Sequence, residues 1–166
     1  MPADPATLAA LQSLLGDVAT SEFRGDARAL VDKNRLLDAM KLLKNERGFD
    51  LLVDVTCVDY VNYRDAAHRF GLVYLLANTE TNERLTVRVY LDEPDLVVPS
   101  MCPLWAGANW FEREVYDMFG IQFEGHPNLR RILMPDEFTA FPLRKDYPLQ
   151  GRGERHNFQR IARADA

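Results

Sequence analysis

A chain of 166 residues, 47% apolar and 27% charged, is long enough to bury one core and has the balance of a globular protein, not of a disordered or fibrous one. Its longest nearly uncharged apolar run, residues 70–77, is far too short to span a bilayer, and no basic stretch followed by an apolar one opens it as a targeting segment, so work at a membrane requires a partner. The two cysteines, Cys57 and Cys102, have no cluster-ligating spacing, which excludes an iron–sulfur cluster held by this chain alone and fits reduced thiols in a cytoplasm.

The net charge of −5 hides an asymmetry: residues 1–128 carry 12 basic and 20 acidic side chains, residues 129–166 carry 8 and 5. A tail with so small a basic excess is a weak nucleic-acid signal, and no nucleic acid is expected as a partner.

In chain order, Asp4 predicts the cap of a first helix with Pro5 at its first position, Leu8, Leu11 and Leu15 on one face and Gly16 as its stop. Residues 18–23 and 29–31 read as short strands around the turn-prone Arg24-Gly25-Asp26. A second helix follows Asp32 or Asn34, with Leu36, Leu37, Met40 and Leu43 as its buried stripe and Gly48 ending it. Residues 49–59 alternate, with Phe49, Leu51, Val53, Val55 and Cys57 expected on the core face. Residues 69–77 and 84–91 read as two strands joined by a short polar link, an antiparallel hairpin. The expected fold is α+β, a mostly antiparallel sheet with helices packed on it.

Ser100 reads as the N-cap of a helix carrying Leu104 and Trp105, which Gly107 interrupts. Asn109 with Glu112 reads as a capping box that restarts helix, with Phe111, Val115, Met118 and Phe119 as the apolar stripe and Gly120 as the stop. From residue 121 the prolines Pro127, Pro135, Pro142 and Pro148 forbid helix or long strand, which divides the chain into an α+β domain, 1–120, and an extended Pro-rich C-terminal arm, 121–166. Nine apolar groups along that arm, from Leu129 to Leu149, are expected to need a foreign surface.

Acids, a histidine and arginines crowd where domain meets arm. Glu112, Glu114, Asp117 and His126 are metal ligands by type, but no Glu-x-x-His pair is present, Glu112 and Glu114 point to different sides of a helix, and His126 follows the helix stop, so no metal is expected. No GxSxG, P-loop or GxGxxG after a strand is present, and His68 and His156 read as solvated or structurally paired. A free-standing acid–base enzyme would use Glu114 or Asp117 with His126. Otherwise Glu112, Arg113, Glu114 and Asp117 are solvated charges, or they pair with Arg130, Arg131, Arg144 and Lys145, some in this chain and some on another. Their neighbours Trp110, Phe111, Tyr116 and Phe119 are residue types of interface anchors.

The stretch ANWFEREVYDMFGIQFEGHPNLRRILMP, residues 108–135, followed by FPLRKDYPLQG, residues 141–151, closely resembles the signature of the thirty-kilodalton-type subunit, or C subunit, of proton-pumping NADH:quinone oxidoreductase, respiratory complex I. VTCVDY, residues 55–60, resembles a strand end of the same family, so the resemblance covers most of the chain. It departs where Phe141 stands, since many relatives carry His there, and in a short C-terminal tail.

The resemblance implies a non-catalytic structural and assembly subunit of the peripheral arm, which supports electron transfer from NADH to quinone coupled to proton translocation. It implies a place on the cytoplasmic face of the inner membrane, packed on the quinone-site D subunit with the B and I subunits nearby, and no obligate homo-oligomer. FMN, Fe–S clusters and quinone would be bound by partner subunits, with no cofactor on this chain. The implied partner interface is Glu112, Arg113, Glu114, Asp117, Phe119, His126, Pro127, Arg130, Arg131, Arg144, Lys145, Asp146 and Tyr147. Ferredoxin- or F420-dependent dehydrogenases and membrane-bound hydrogenases use an equivalent subunit, so the resemblance leaves the electron donor open.

Overall fold

The computed structural model describes residues 3–16 and 18–154, so the expectation for His156 lies outside the described residues. Helix α1 spans Pro5–Leu15, capped by the Asp4 carboxylate, which accepts the Ala6 N–H at 2.8 Å, and it stops at Gly16 with φ 84°. Its buried contribution is narrow, Thr7 and Leu11. Asp32 caps a single 3-10 turn, Lys33–Arg35, from which α2, Leu36–Asn45, continues. Leu36, Ala39, Met40, Leu42 and Leu43 are buried on α2, a wider stripe than Leu36, Leu37, Met40 and Leu43, with Leu37 at its margin.

The strands are β1 Ala19–Phe23, β2 Asp26–Leu30, β3 Leu51–Asp59, β4 Phe70–Ala77, β5 Arg84–Leu91, β6 Val97–Pro99 and β7 Gln122–Glu124. The main sheet has the order β1-β2-β5-β4-β3; β2 runs parallel to β5 and the other neighbours pair antiparallel. The β4–β5 hairpin turns on Asn78, whose side-chain oxygen accepts the N–H groups of Glu80 and Thr81. Phe70, Leu72, Tyr74 and Leu76 on β4 and Leu85, Val87, Val89 and Leu91 on β5 point to the helices and form the core with them.

The alternation expected of β3 holds only in its second half. Leu52 pairs with Leu76 and Asp54 with Leu75, so Val53 is an extra residue that shifts the register by one. Leu52, Val55 and Cys57 therefore face the core, while Leu51 and Val53 are each 46% exposed.

The helix expected after Ser100 is absent, and residues 101–107 are turns. The Ser100 hydroxyl does accept the Cys102 N–H at 3.2 Å, as a cap would, but it donates to Glu112 at 2.6 Å. The capping box at Asn109 is also absent: α3, Ala108–Phe119, has no side-chain cap, because the Glu112 carboxylate is turned to Ser100 and Met101. Val115, Met118 and Phe119 are buried as expected and Gly120 ends α3 in the left-handed region. The chain then adds β7 to β6 as a parallel pair and buries Ile121 and Phe123.

Residues 125–153 contain no further helix or strand and run over the body. The body itself covers part of the apolar strip expected to need a foreign surface: Phe138 is buried, Leu129 and Met134 pack on the core, and Ile132, Phe141 and Tyr147 are half-buried. Leu133, Leu143 and Leu149 remain exposed, Leu133 at 60% and Leu143 at 48%.

Gly120 joins the helix stop to this packing, since its φ is 78° and a Cβ there would meet the Phe141 ring at 2.6 Å. Gly120→Ala is expected to cost about 1–3 kcal/mol, by strain plus overpacking. That lowers the melting temperature by roughly 2–4 °C per kcal/mol. Gly25→Ala has a similar φ of 83° and no neighbour within 4 Å, so it carries the strain alone and a smaller loss.

Candidate functional site at the junction of helix and arm

Helix α3 sends two carboxylates inward, and each meets partners brought by the chain on either side of it. Glu112 is fully buried; Oε2 accepts the Ser100 hydroxyl and Oε1 the Met101 N–H, both at 2.6 Å, and the Cys102 thiol lies 3.6 Å from Oε2. Burial pushes its carboxyl up, and the hydrogen bonds from Ser100, Met101 and Cys102 offset only part of that.

Asp117 is also fully buried and behaves oppositely. Its Oδ2 accepts three successive backbone N–H groups, Ile132 at 3.0 Å, Leu133 at 2.7 Å and Met134 at 2.9 Å, while Oδ1 receives Arg131 Nη1 at 2.5 Å. Burial pushes this carboxyl up too, but the N–H groups of Met134, Ile132 and Leu133 with the Arg131 guanidinium together hold it below the ordinary carboxylate range. Arg131 is itself fixed by the Asp117 and Ala140 carbonyls and lies near the Phe138 and Phe141 rings.

The remaining charges fasten the same crossing. Arg113 donates from Nε and Nη2 to the carbonyls of Arg130 and Arg131 and lies 5.2 Å from the Trp110 ring centre. His126 accepts the Asn128 N–H at Nδ1, which leaves Nε2 protonated to donate to the Asn109 carbonyl at 3.1 Å. Farther along, Arg144 donates to the Phe119 carbonyl and to Glu93, Asp146 pairs with Arg69, and the Lys145 backbone N–H reaches the buried Asp59 carboxylate. Tyr147 stacks edge-on against Phe138.

The residues expected at the interface thus divide. Glu112, Arg113, Asp117 and Phe119 are buried, and Arg131, Arg144, Asp146, His126 and Tyr147 have partners within the chain. Glu114, Pro127, Arg130 and the Lys145 side chain face outward. Asp59, Arg69 and Glu93 complete the fastening without having been singled out from the sequence, where their only signal is polarity at the ends of apolar strands, and Ser100, read there as a helix cap, holds Glu112 instead.

The ligand set Glu112, Glu114, Asp117 and His126 does not converge. Among the described residues a different trio does, Cys102, Glu112 and His126, with ligand atoms within 4.8 Å of one another. Both Glu112 oxygens accept hydrogen bonds from Ser100 and Met101, His126 bonds to Asn109 and Asn128 and not to Glu112 or Cys102, and burial raises the Cys102 thiol. The cavities along the sheet, of about 490, 300 and 760 Å³, are lined by none of Glu114, Asp117 and His126.

The Asp117 shift has a sign that can be tested. A carboxyl lowered on folding contributes stability that is complete above its unfolded value, about 3.9, and is lost as pH falls through the lower folded value. Hydrogen exchange at residues 132–134, corrected for intrinsic rates, should accelerate over that window in the native chain and show no such step in Asp117→Asn. Asp117→Ala strands Arg131 and should cost about 3–5 kcal/mol in thermal or denaturant unfolding.

Residues 29–153 match the family described as "Respiratory-chain NADH dehydrogenase, 30 Kd subunit". The chain is 45% identical over 131 residues to the C subunit of the NADH-quinone oxidoreductase of Citrifermentans bemidjiense, covering 79% of this chain and 80% of that protein. It is 42% identical over 152 residues to the same subunit of Laribacter hongkongensis, covering 88% and 78%. Among solved structures, the trypsin-resistant fragment of Nqo5 superposes with TM-score 0.69 at 34% identity, over 75% of this chain and 97% of the fragment. A chain of the archaeal membrane-bound sulfane sulfur reductase shares the fold at TM-score 0.73 and 24% identity, over 87% and 85% of the two chains. The motif that fastens the arm to α3, the matched span and these relatives together make the chain a member of the respiratory-chain NADH dehydrogenase 30 kDa subunit family.

Proposed function

We propose that the chain is a non-catalytic structural subunit of a proton-translocating NADH:quinone oxidoreductase, in which it braces the quinone-reducing module. The observation that carries this reading is the disposition of its charges: Asp117 and His126, which looked like catalytic equipment, hold an arm in place, Glu114 faces outward, and the arm turns Leu133 and Leu143 outward between Arg130 and Lys145. Apolar side chains fixed on a rigid strip and flanked by cations fit a protein surface better than a substrate.

On this reading the arm packs on the quinone-site D subunit, with the B and I subunits nearby, and FMN, Fe–S clusters and quinone belong to the partners. The complex, not this chain, holds it at the cytoplasmic face of the inner membrane; among the described residues no helix is long and apolar enough to cross a membrane. Glu114, Arg130 and Lys145 are the charges left to meet a partner, while Asp117 acts by shaping the strip and Glu112 ties α3 to the loop at Ser100–Met101. A second reading keeps the chain as the equivalent subunit of a related complex with another electron donor, and the fold shared with a chain of a sulfane sulfur reductase is consistent with use of this fold in more than one kind of respiratory complex.

Burying a leucine is worth about 1.5–3 kcal/mol, so a partner that covers Leu133 and Leu143 cannot tolerate charges there. The double variant Leu133→Asp, Leu143→Asp should melt within about 0.5 kcal/mol of the parent, because both sites are exposed. It should nevertheless be lost from the purified oxidoreductase complex, and normal incorporation would refute the bracing role. NADH oxidation by the parent complex, against oxidation of reduced ferredoxin or reduced F420, decides between the two readings.

A further inference from the structure

The main sheet has two faces; the helices cover one, and residues 60–68 lie over one end of the other, with Tyr60 against Gly71 and His68 stacked on Tyr90. On the other, Arg28 and Leu30 of β2 and Thr86, Arg88 and Tyr90 of β5 are only half-buried. The parallel register sets Arg28 beside Thr86 and Leu30 beside Arg88, so two guanidinium groups from adjacent strands stand on one uncovered surface. Among the described residues neither has a carboxylate partner: Arg28 lies over the Phe23 ring at 4.5 Å, and Arg88 Nε is out of water with no acceptor. Arg69, Arg131 and Arg144, by contrast, are each ion-paired within the chain. The acids nearest on this face are Asp26 opposite Phe23, Asp54 across the sheet in the Arg28–Thr86–Leu75 row, and Asp65, which lines a separate cavity with Arg88 and Tyr90; none of them is ion-paired with Arg28 or Arg88.

Between β1, β2 and β5 the surface dips into a depression of about 170 Å³ lined by Ala19, Leu30, Arg28, Arg88 and Tyr90. That is room for one carboxylate side chain, and a guanidinium grips a carboxylate with two parallel N–H bonds. An unbonded N–H held out of water is costly, and an incoming acceptor removes the cost. Half-buried Leu75 on β4, opposite Thr86, extends the surface as apolar ground.

We propose that this uncovered sheet face is a second docking surface, separate from the arm, and that its occupant is an apolar, carboxylate-bearing segment of another subunit of the same complex, with an Asp or Glu side chain seated between Arg28 and Arg88. The inference rests on the reading of the chain as a subunit. Charge decides the occupant: on a chain with net charge −5, a patch whose cations have no partner selects an acidic neighbour.

The test is hydroxyl-radical footprinting of the unaltered full chain, free and within the purified complex, with Thr86→p-benzoylphenylalanine as a photo-crosslinker on the same face. Oxidation of Tyr90 and Phe23 should fall several-fold in the complex, and the crosslink should land on an acidic stretch of another subunit. The double reversal Arg28→Glu, Arg88→Glu should reduce incorporation by at least about tenfold. Unchanged labelling in a complex that contains the chain overturns the second surface and leaves the bracing role standing. A chain found in no such complex overturns the bracing role and this surface with it. Protection in the free chain that grows with concentration, together with a dimer mass, assigns the face to a second copy and also overturns it. The footprint uses the native sequence, so a reversal variant that fails to fold does not remove the test.

Discussion

The Asp117 carboxylate sits out of water, where an unpaired charge costs several kcal/mol, and it is tolerated because the arm delivers four donors to it. The dependence is mutual. A segment broken by Pro127 and Pro135 cannot pair its own backbone, and residues 132–134 would carry orphan N–H groups if the helix did not supply an acceptor. Helix and arm each complete the hydrogen bonding of the other, and Arg113, Arg131 and Arg144 add the carbonyls at the flanks. The path of the arm, and hence which leucines look outward, follows from where that one acid lies on α3.

An arm fixed this way is ordered before any partner arrives. Ordering a free segment on binding consumes interaction energy, and a strip already held by its own body avoids that loss. The same reasoning accounts for the cluster around Asp59, Arg69, Glu93, Arg144 and Asp146, which pins the arm a second time some dozen residues after Arg131. The two fastenings bracket Phe138 and Phe141, whose rings lie beside Arg131 and, for Phe141, also Arg144.

What the sequence made legible is what local rules decide. Asp4 with Pro5, the glycine stops at Gly16 and Gly120, and the hairpin turning on Asn78 each involve atoms a few bonds apart, and each formed as expected. The failures share one cause, a distant partner outcompeting a local one. Ser100 and Glu112 each had a plausible local capping role, and they bond to each other instead across a loop. Burial had the same character: Glu114 and Asp117 look alike in sequence, yet only the path of residues 131–134 decides that one is solvated and the other enclosed. The prolines made the lack of helix beyond Pro127 legible, whereas the pairing of residues 122–124 with β6 and the body's own coverage of Leu129, Met134 and Phe138 were not, because composition does not say whose surface an apolar group meets.

The extra residue at Val53 bears on how the chain keeps company. β3 is an edge strand, and an edge with a regular row of free N–H and C=O groups is a template on which any passing strand could polymerise. The bulge breaks that row and twists the strand locally, so a neighbour cannot extend the sheet in register from this side. Leu51 and Val53 stay available as side chains on an edge that refuses backbone pairing. At this edge the chain is thereby steered toward contacts that depend on which side chains a neighbour offers, in contrast to the regular opposite edge at β1.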